Sequence, residues 1–210
     1  MLDQATVRRV LDRALSTGAD FAEIFAEDRE NTNLSYVDKK IDSINQGRVY
    51  GLGLRIIRGF EVIYAYSSDL SEKNLLDLAT RAAQAFDGRA GQKPLAFNAL
   101  PEGKLLPIKI RPGSVPLKKK LDLLERGYKA ALAYDPIISQ AKVDYLDHTQ
   151  HVLIANSQGL WTEDTRTRTR YMVSSVASVH NEMQTGYYGP GAGQGFEFFE
   201  EHDVEAIARE

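Results

Sequence analysis

Apolar positions follow two alternating rhythms along the chain. Val7, Val10, Leu11, Ala14 and Leu15 recur at helical spacing and Gly18 supplies a stop, which predicts an amphipathic first helix. "ADFAEIFAEDRENTNLSYVD" then switches to period two. Ala22, Ile24 and Ala26 fall on one face and Phe21, Glu23, Phe25 and Glu27 on the other, as in a half-buried strand. "KIDSINQGRVYGLGLRIIRGFEVIYAYSSDL" carries two further strand-like runs, with the hairpin turn at Arg58-Gly59, before Phe60. Gly51 and Gly53 sit inside one of these runs, where a bulge or a close backbone approach explains them. Helical spacing returns at Leu75, Leu78, Ala79, Ala82 and Phe86, with Ser71 as N-cap and Gly88 as stop.

Residues 88–116 break the rhythm. Pro94, Pro101, Pro107, Pro112 and Pro116 fall there, five of the chain's seven prolines, so a connector with at most short strands is expected. The series then repeats. "LKKKLDLLERGYKAALAYDP" predicts a helix with Pro116 at its first turn, a stop at Asp135-Pro136, and Leu117, Leu121, Leu124, Tyr128, Ala131 and Leu132 inward. Lys118 to Lys120 are expected to be its solvated start. From Ile137 to Gly189 the chain reads as a meander of two or three strands, its clearest turn at Asn156 to Gly159, "NSQG". Helix-then-meander thus occurs twice, about residues 3–67 and 116–188. The expected fold class is α+β, antiparallel meanders with amphipathic helices packed on one side; sub-regions of about 1–90 and 116–195 are joined by the proline-rich connector. No residue-level repeat accompanies this, so a duplication and a single α+β domain both fit.

Composition narrows the class. With 43% hydrophobic residues and a formal net charge of −3, the 210 residues can bury a sizeable core and lack the basic excess of a surface built throughout for nucleic acid. There is no cysteine, which excludes disulfides and thiolate metal or redox chemistry from this chain. The N-terminus has charges every few residues and no apolar core region, and no apolar run approaches the roughly 18–20 residues of a membrane span. No secretory signal and no membrane partner are expected, and the cytoplasm is the expected compartment.

Three stretches invite chemistry. Between Met183 and Asp203, "MQTGYYGPGAGQGFEFFEEHD", five glycines and a proline interrupt a strand-like, aromatic run. Gly191, Gly193 and Gly195 give G-x-G-x-G with no lysine after them, and Phe196 to Phe199 do not open a clear helix, so neither phosphate-binding pattern fits. A mobile or tightly turned segment with two exposed tyrosines is left. His148 and His151, three apart in an expected strand, point to opposite faces, while His180-Asn181-Glu182 lacks a spaced partner ligand. No nucleophile elbow or other hydrolytic triad is arguable. "TEDTRTRTRY" places Arg166, Arg168 and Arg170 on one strand face and Thr165, Thr167 and Thr169 on the other. That row could hold phosphate or a carboxylate-rich peptide, or pair across strands with Asp144, Asp147, Glu163 or Asp164.

"GADFAEIFAED", "INQGRVYGLGLRII", "VLIANSQG" followed by "TEDTRTRTR", and above all "MQTGYYGPGAGQGFEFF" resemble the N-terminal region of the TldD branch of the TldD/PmbA family. That family was once described as modulators of DNA gyrase and is understood as zinc-dependent peptidases. The resemblance runs through essentially the whole chain in order, and the glycine-tyrosine loop favours the TldD branch. It implies a second domain carrying H-E-x-x-x-H on a helix and a later cysteine as zinc ligands, with the glutamate as general base. This chain holds neither that motif nor a cysteine, so no metal ligand and no catalytic residue is assigned to any position. The expectation is an N-terminal fragment with no cofactor of its own and zinc in the complete protein. By the same resemblance, Gly186, Tyr187, Tyr188, Gly189 and Gly191 form a candidate substrate-path loop, in which glycine supplies backbone conformations that other residues resist. Tyr187 and Tyr188 either wall that path or pin the loop to its own domain. The implied partners are unfolded or flexible peptides held by strand addition, the protein's own C-terminal domain, and an identical or PmbA-like subunit. The rival is a non-catalytic module for a protein such as a topoisomerase; a weaker third reading is nucleic-acid contact through the arginine strand.

Overall fold

The computed structural model describes residues 2–86, 88, 93–100, 107–180 and 182–210; Pro101 and Asn181 lie outside them. The first helix, α1 (Gln4–Ala14), is capped by Asp3, whose carboxylate accepts the Thr6 N–H at 2.9 Å and the Thr6 hydroxyl at 2.8 Å. It ends four residues before Gly18, whose φ of 91° serves the turn that follows. Three strands come next, β1 (Phe21–Val37), β2 (Lys40–Arg58) and β3 (Glu61–Ser67). The β2–β3 hairpin turns at Gly59-Phe60, one residue later than the expected Arg58-Gly59, because Arg58 still pairs with Glu61; Gly59 takes φ 57°. The β1–β2 turn uses Asp38 and Lys39, both left-handed without a glycine. α2 (Glu72–Ala83) has Ser71 at its N-cap, but the Ser71 side chain makes no capping bond; its own N–H is taken by Asp69.

Between the helices the described residues hold one two-residue strand, β4 (Asn98–Ala99), and one 3₁₀ turn at Pro112–Ser114. α3 (Leu117–Leu132) starts beyond Pro116 and leads to β5 (Ile138–Asn156) and β6 (Leu160–Val179). Their turn is the expected one. Asn156 Oδ1 accepts the N–H groups of Gln158 and Leu160, and Gly159 adopts φ 93°. β7 (Glu182–Tyr188) and the two-residue β8 (Gly191–Ala192) follow, then α4 (Phe198–Glu201) and α5 (Val204–Arg209). Phe196 to Phe199 therefore do lead into a helix, though only a single turn, and the short α5 is capped by Asp203, whose Oδ1 accepts the N–H groups of Glu205 and Ala206.

The strands form a sheet in the order β3-β2-β1-β5-β6-β4, with β7 and β8 also pairing with β6; β3, β7 and β8 pair antiparallel with their neighbours, whereas the two-residue β4 runs parallel to β6. The fold is α+β, as the two rhythms require. Its contacts fall into two units that interleave along the chain, Met1–Arg29, Val49–Lys104 and His151–Thr165 in one, Glu30–Arg48, Leu105–Gln150 and Arg166–Glu210 in the other. In the first unit α1 and α2 pack together and bury Val7, Val10, Leu11, Leu75 and Leu78 against Ile24, Leu52, Leu54 and Ile56. Gly51 is a close backbone approach, since a Cβ there would come 2.7 Å from the Ser67 carbonyl oxygen, whereas at Gly53 the close neighbour is a side chain, the Tyr64 phenol. In the second, α3 packs with α5, and Leu123, Leu124 and Tyr128 cover Val143, Tyr145, Tyr171 and Val173.

Lys120 corrects one expectation. Lys118 and Lys119 are solvated, but Lys120 is only 2% exposed and donates to Asp147 Oδ2 at 2.5 Å. Helical geometry puts residue 120 on the same stripe as Leu123, Leu124 and Gly127, so its charge had to be met inside.

Candidate functional site

The glycine-tyrosine segment is laid along β6. β7 pairs with Val173–Val179, β8 with Thr169 and Arg170, and the Tyr171 N–H donates to Pro190 O at 3.0 Å between them. Thr169, 1% exposed, sends its hydroxyl to the carbonyls of Gln194 and Gly195, both at 3.0 Å. Beyond them the buried Glu197 carboxylate accepts N–H groups of Gly195 at 2.9 Å, Ile110 at 2.8 Å and Lys109 at 3.1 Å. Burial by itself would raise the Glu197 pKa, but these donors outweigh it and hold the carboxyl below its ordinary value. These bonds tie the stretch from Gly189 to Glu197 to β6 and to residues 109–110.

Gly189, Gly191 and Gly195 are required by space rather than by backbone angle. None of Gly186, Gly189, Gly191, Gly193 and Gly195 has a positive φ, which corrects the expectation drawn from the resemblance. A Cβ on Gly189 would overlap the Tyr187 hydroxyl and come 2.9 Å from Met172 Cγ. One on Gly191 would come 3.0 Å from Arg170 Cγ, and one on Gly195 would overlap the Ile110 carbonyl. Gly186 faces open space.

Every residue of β7 is exposed, and among the described residues β6 is its one strand partner. Adjacent residues of a strand point to opposite faces. Tyr187 bonds to Arg170 Nη2 through its hydroxyl at 2.8 Å, and Tyr188 stands opposite Val173. Gly186, Tyr187 and Tyr188 line a groove of about 340 Å³ together with Tyr134, Ile138 and Ile207.

Arg166, Arg168 and Arg170 share one exposed face of β6, with Thr167 and Thr169 buried on the other. The cross-strand carboxylates do not neutralise Arg168 or Arg170. Asp144 pairs with Lys142 at 3.1 Å, Glu163 accepts the Trp161 indole N–H at 3.1 Å, and Asp147 lies on the buried, opposite face with Lys120 and the Tyr145 hydroxyl. Arg168 has no hydrogen bond or ion pair among the described residues, while Arg170 holds only neutral acceptors, Gly189 O at 3.2 Å and the Tyr187 hydroxyl. Sequence reasoning found the row but could not see where its acidic neighbours were spent.

His148 and His151 lie on β5, three apart; His151 Nδ1 is 2.9 Å from Thr165 Oγ1, and His202 stacks at 4.3 Å on the Phe198 ring. Among the described residues no three of His, Asp and Glu converge as metal ligands, so these side chains do not fit a zinc ion. Nor, among those residues, is any helix long and apolar enough to cross a membrane.

Comparison with known proteins fixes the class. The PmbA/TldA metallopeptidase domain 1 matches residues 22–86, and the PmbA/TldA metallopeptidase central domain matches residues 110–210. The chain belongs to this TldD/PmbA metallopeptidase family. A metalloprotease of Methanothermobacter thermautotrophicus is 27% identical over 191 residues, 90% of this chain and 41% of that protein. Two crystal structures, each described as a candidate modulator of DNA gyrase, share the fold at 16% identity. The Bacteroides thetaiotaomicron protein has a TM-score of 0.73 over 92% of this chain and 46% of its own, and the Thermotoga maritima protein 0.69 over 90% and 42%. TldE from Thermococcus kodakarensis follows at 0.59 and 14% identity, over 90% of this chain and 42% of its own. This chain thus spans less than half the length of the relatives it matches.

Proposed function

We propose that this chain forms the substrate-channel and dimerisation part of a TldD-like zinc metallopeptidase that cleaves unfolded or flexible peptides in the cytoplasm. The observation that carries the reading is β7, an edge strand exposed along its whole length beside the groove lined by Gly186, Tyr187 and Tyr188. An extended peptide adds to such an edge through its main chain, so selection by side chain is weak. The zinc and the hydrolytic glutamate would come from residues outside this chain, and the partner subunit would be an identical or a PmbA-like one.

The test is cleavage of an unstructured fluorogenic peptide by the complete protein, before and after chelation, with residues 1–210 alone in parallel. Metal-dependent cleavage by the complete protein and none by this chain supports the reading; no cleavage by a folded, zinc-loaded complete protein overturns it. A second reading, a non-catalytic module for a protein partner such as a topoisomerase, draws on the outer side of β3. There Val62, Tyr64 and Tyr66 are exposed in a row that continues from a fully exposed Phe60, an aromatic surface of the kind that protein partners cover.

A further inference from the structure

We propose that the open groove over His148, Arg168 and Arg170 binds carboxylates carried by an extended peptide segment. The groove, about 720 Å³, is lined by these three side chains and by Gly189, Gly191 and Gly193, all within the second unit. It offers two guanidinium groups on one strand face with no carboxylate on either. Arg170 is held in place. Its Nε donates to Gly189 O and its Nη2 to the Tyr187 hydroxyl, and the missing side chains at Gly189 and Gly191 make room for that phenol and for the arginine stem. Arg168, two residues along, is exposed and uncommitted. A charge fixed by neutral acceptors beside a free one is a preorganised anion site, because neither guanidinium must first leave an internal carboxylate.

The spacing selects the ligand. Residues two apart on a strand repeat about every 6.6 Å, and acidic side chains at alternate positions of an extended peptide repeat at the same interval. A peptide's terminal carboxylate would use the same chemistry. Nucleic acid fits less well: the chain's net charge is −3 and the groove's lining holds no Phe, Tyr or Trp to stack on successive bases, only the imidazole of His148. Binding of this kind requires only the present chain and holds whether or not any peptide is cut.

The experiment measures fluorescence anisotropy of labelled peptides with the 210-residue chain at low salt. The probes are acetyl-ESESESES-amide, acetyl-QSQSQSQS-amide, acetyl-QSQSQSQS with a free C-terminus, and a dT12 oligonucleotide. Binding of the glutamate peptide, weakened about tenfold or more in Arg168→Ala and unchanged in Lys118→Ala, is expected. Gly191→Ala, which displaces the Arg170 stem, should also weaken it, with thermal melts confirming that each variant folds. Binding of the glutamine peptide only when its C-terminus is free would also support the site and assign it to terminal carboxylates. No binding to any carboxylate peptide, or an affinity indifferent to both variants, overturns the proposal. So does tighter, Arg168-dependent binding of dT12 than of every peptide.

Discussion

Removing Lys120 should cost more than any other single lysine change. Its Nζ lies 2.5 Å from Asp147 Oδ2, the same oxygen takes the Tyr145 hydroxyl at 2.5 Å, and the ammonium sits 5.3 Å from the centre of the Tyr145 ring. Lys120 is 2% and Asp147 5% exposed, so water replaces neither partner. In Lys120→Met the carboxylate keeps one phenol donor and no counter-charge. Breaking a buried pair from one side costs about 3–5 kcal/mol, since the remaining charge stays desolvated. At about 2–4 °C per kcal/mol for a chain of this size, the midpoint should fall by roughly 6–20 °C. Replacing both partners with apolar residues of similar volume removes that charge, so Lys120→Met/Asp147→Leu should recover most of the loss. Circular-dichroism melts and urea titrations of the three proteins read this directly. A Lys120→Met loss under about 1 kcal/mol, or a double variant worse than either single one, would refute the reasoning.

Three further outcomes follow from other buried contacts. Gly127→Ala gains about 1 kcal/mol of helix propensity but drives a Cβ into the Tyr171 phenol, which bonds to Leu123 O at 2.7 Å; overpacking of about 1–3 kcal/mol should make the melt lower, and less so in a Tyr171→Phe background. Glu197 has a depressed pKa in the fold, so its contribution is complete above its ordinary value of 4.5 and is lost as pH falls through the lower folded value. Melts from pH 7 down to about 3 should therefore show Glu197→Gln less stable at neutral pH, with the gap to wild type closing in acid. Burial pushes the Tyr145 and Tyr171 phenols upward, Asp147 adding to the effect at Tyr145, so in an absorbance titration these two of ten tyrosines should stay protonated at about pH 11 and ionise only on unfolding.

Periodicity carried most of the fold. Ala22, Ile24 and Ala26 on β1 and Val7, Val10 and Leu11 on α1 are buried where their spacing puts them, because one face of each element has a single apolar core to meet. Short elements were harder. α5 depends on the Asp203 cap and on contact with α3, and α4 on glycine-bounded aromatic packing, neither of which a six- or four-residue window reveals. The burial of Lys120 is not legible in a run of lysines, because the carboxylate that meets its charge lies 27 residues away. At the candidate site the arginine row was legible from its alternation. The reason for the glycines was not, since it lies in the space taken by Tyr187 and Arg170, side chains brought close by pairing between strands.

The central claim is that β7 lies along the path of a peptide substrate. A photo-crosslinking phenylalanine analogue replacing Tyr188 in the complete protein, illuminated with a labelled unstructured peptide, tests this most directly. The account expects adducts at position 188, competed away by unlabelled peptide, and none from the same analogue at the exposed Phe60 position. A complete protein that cleaves the peptide yet gives no adduct at 188 would contradict it.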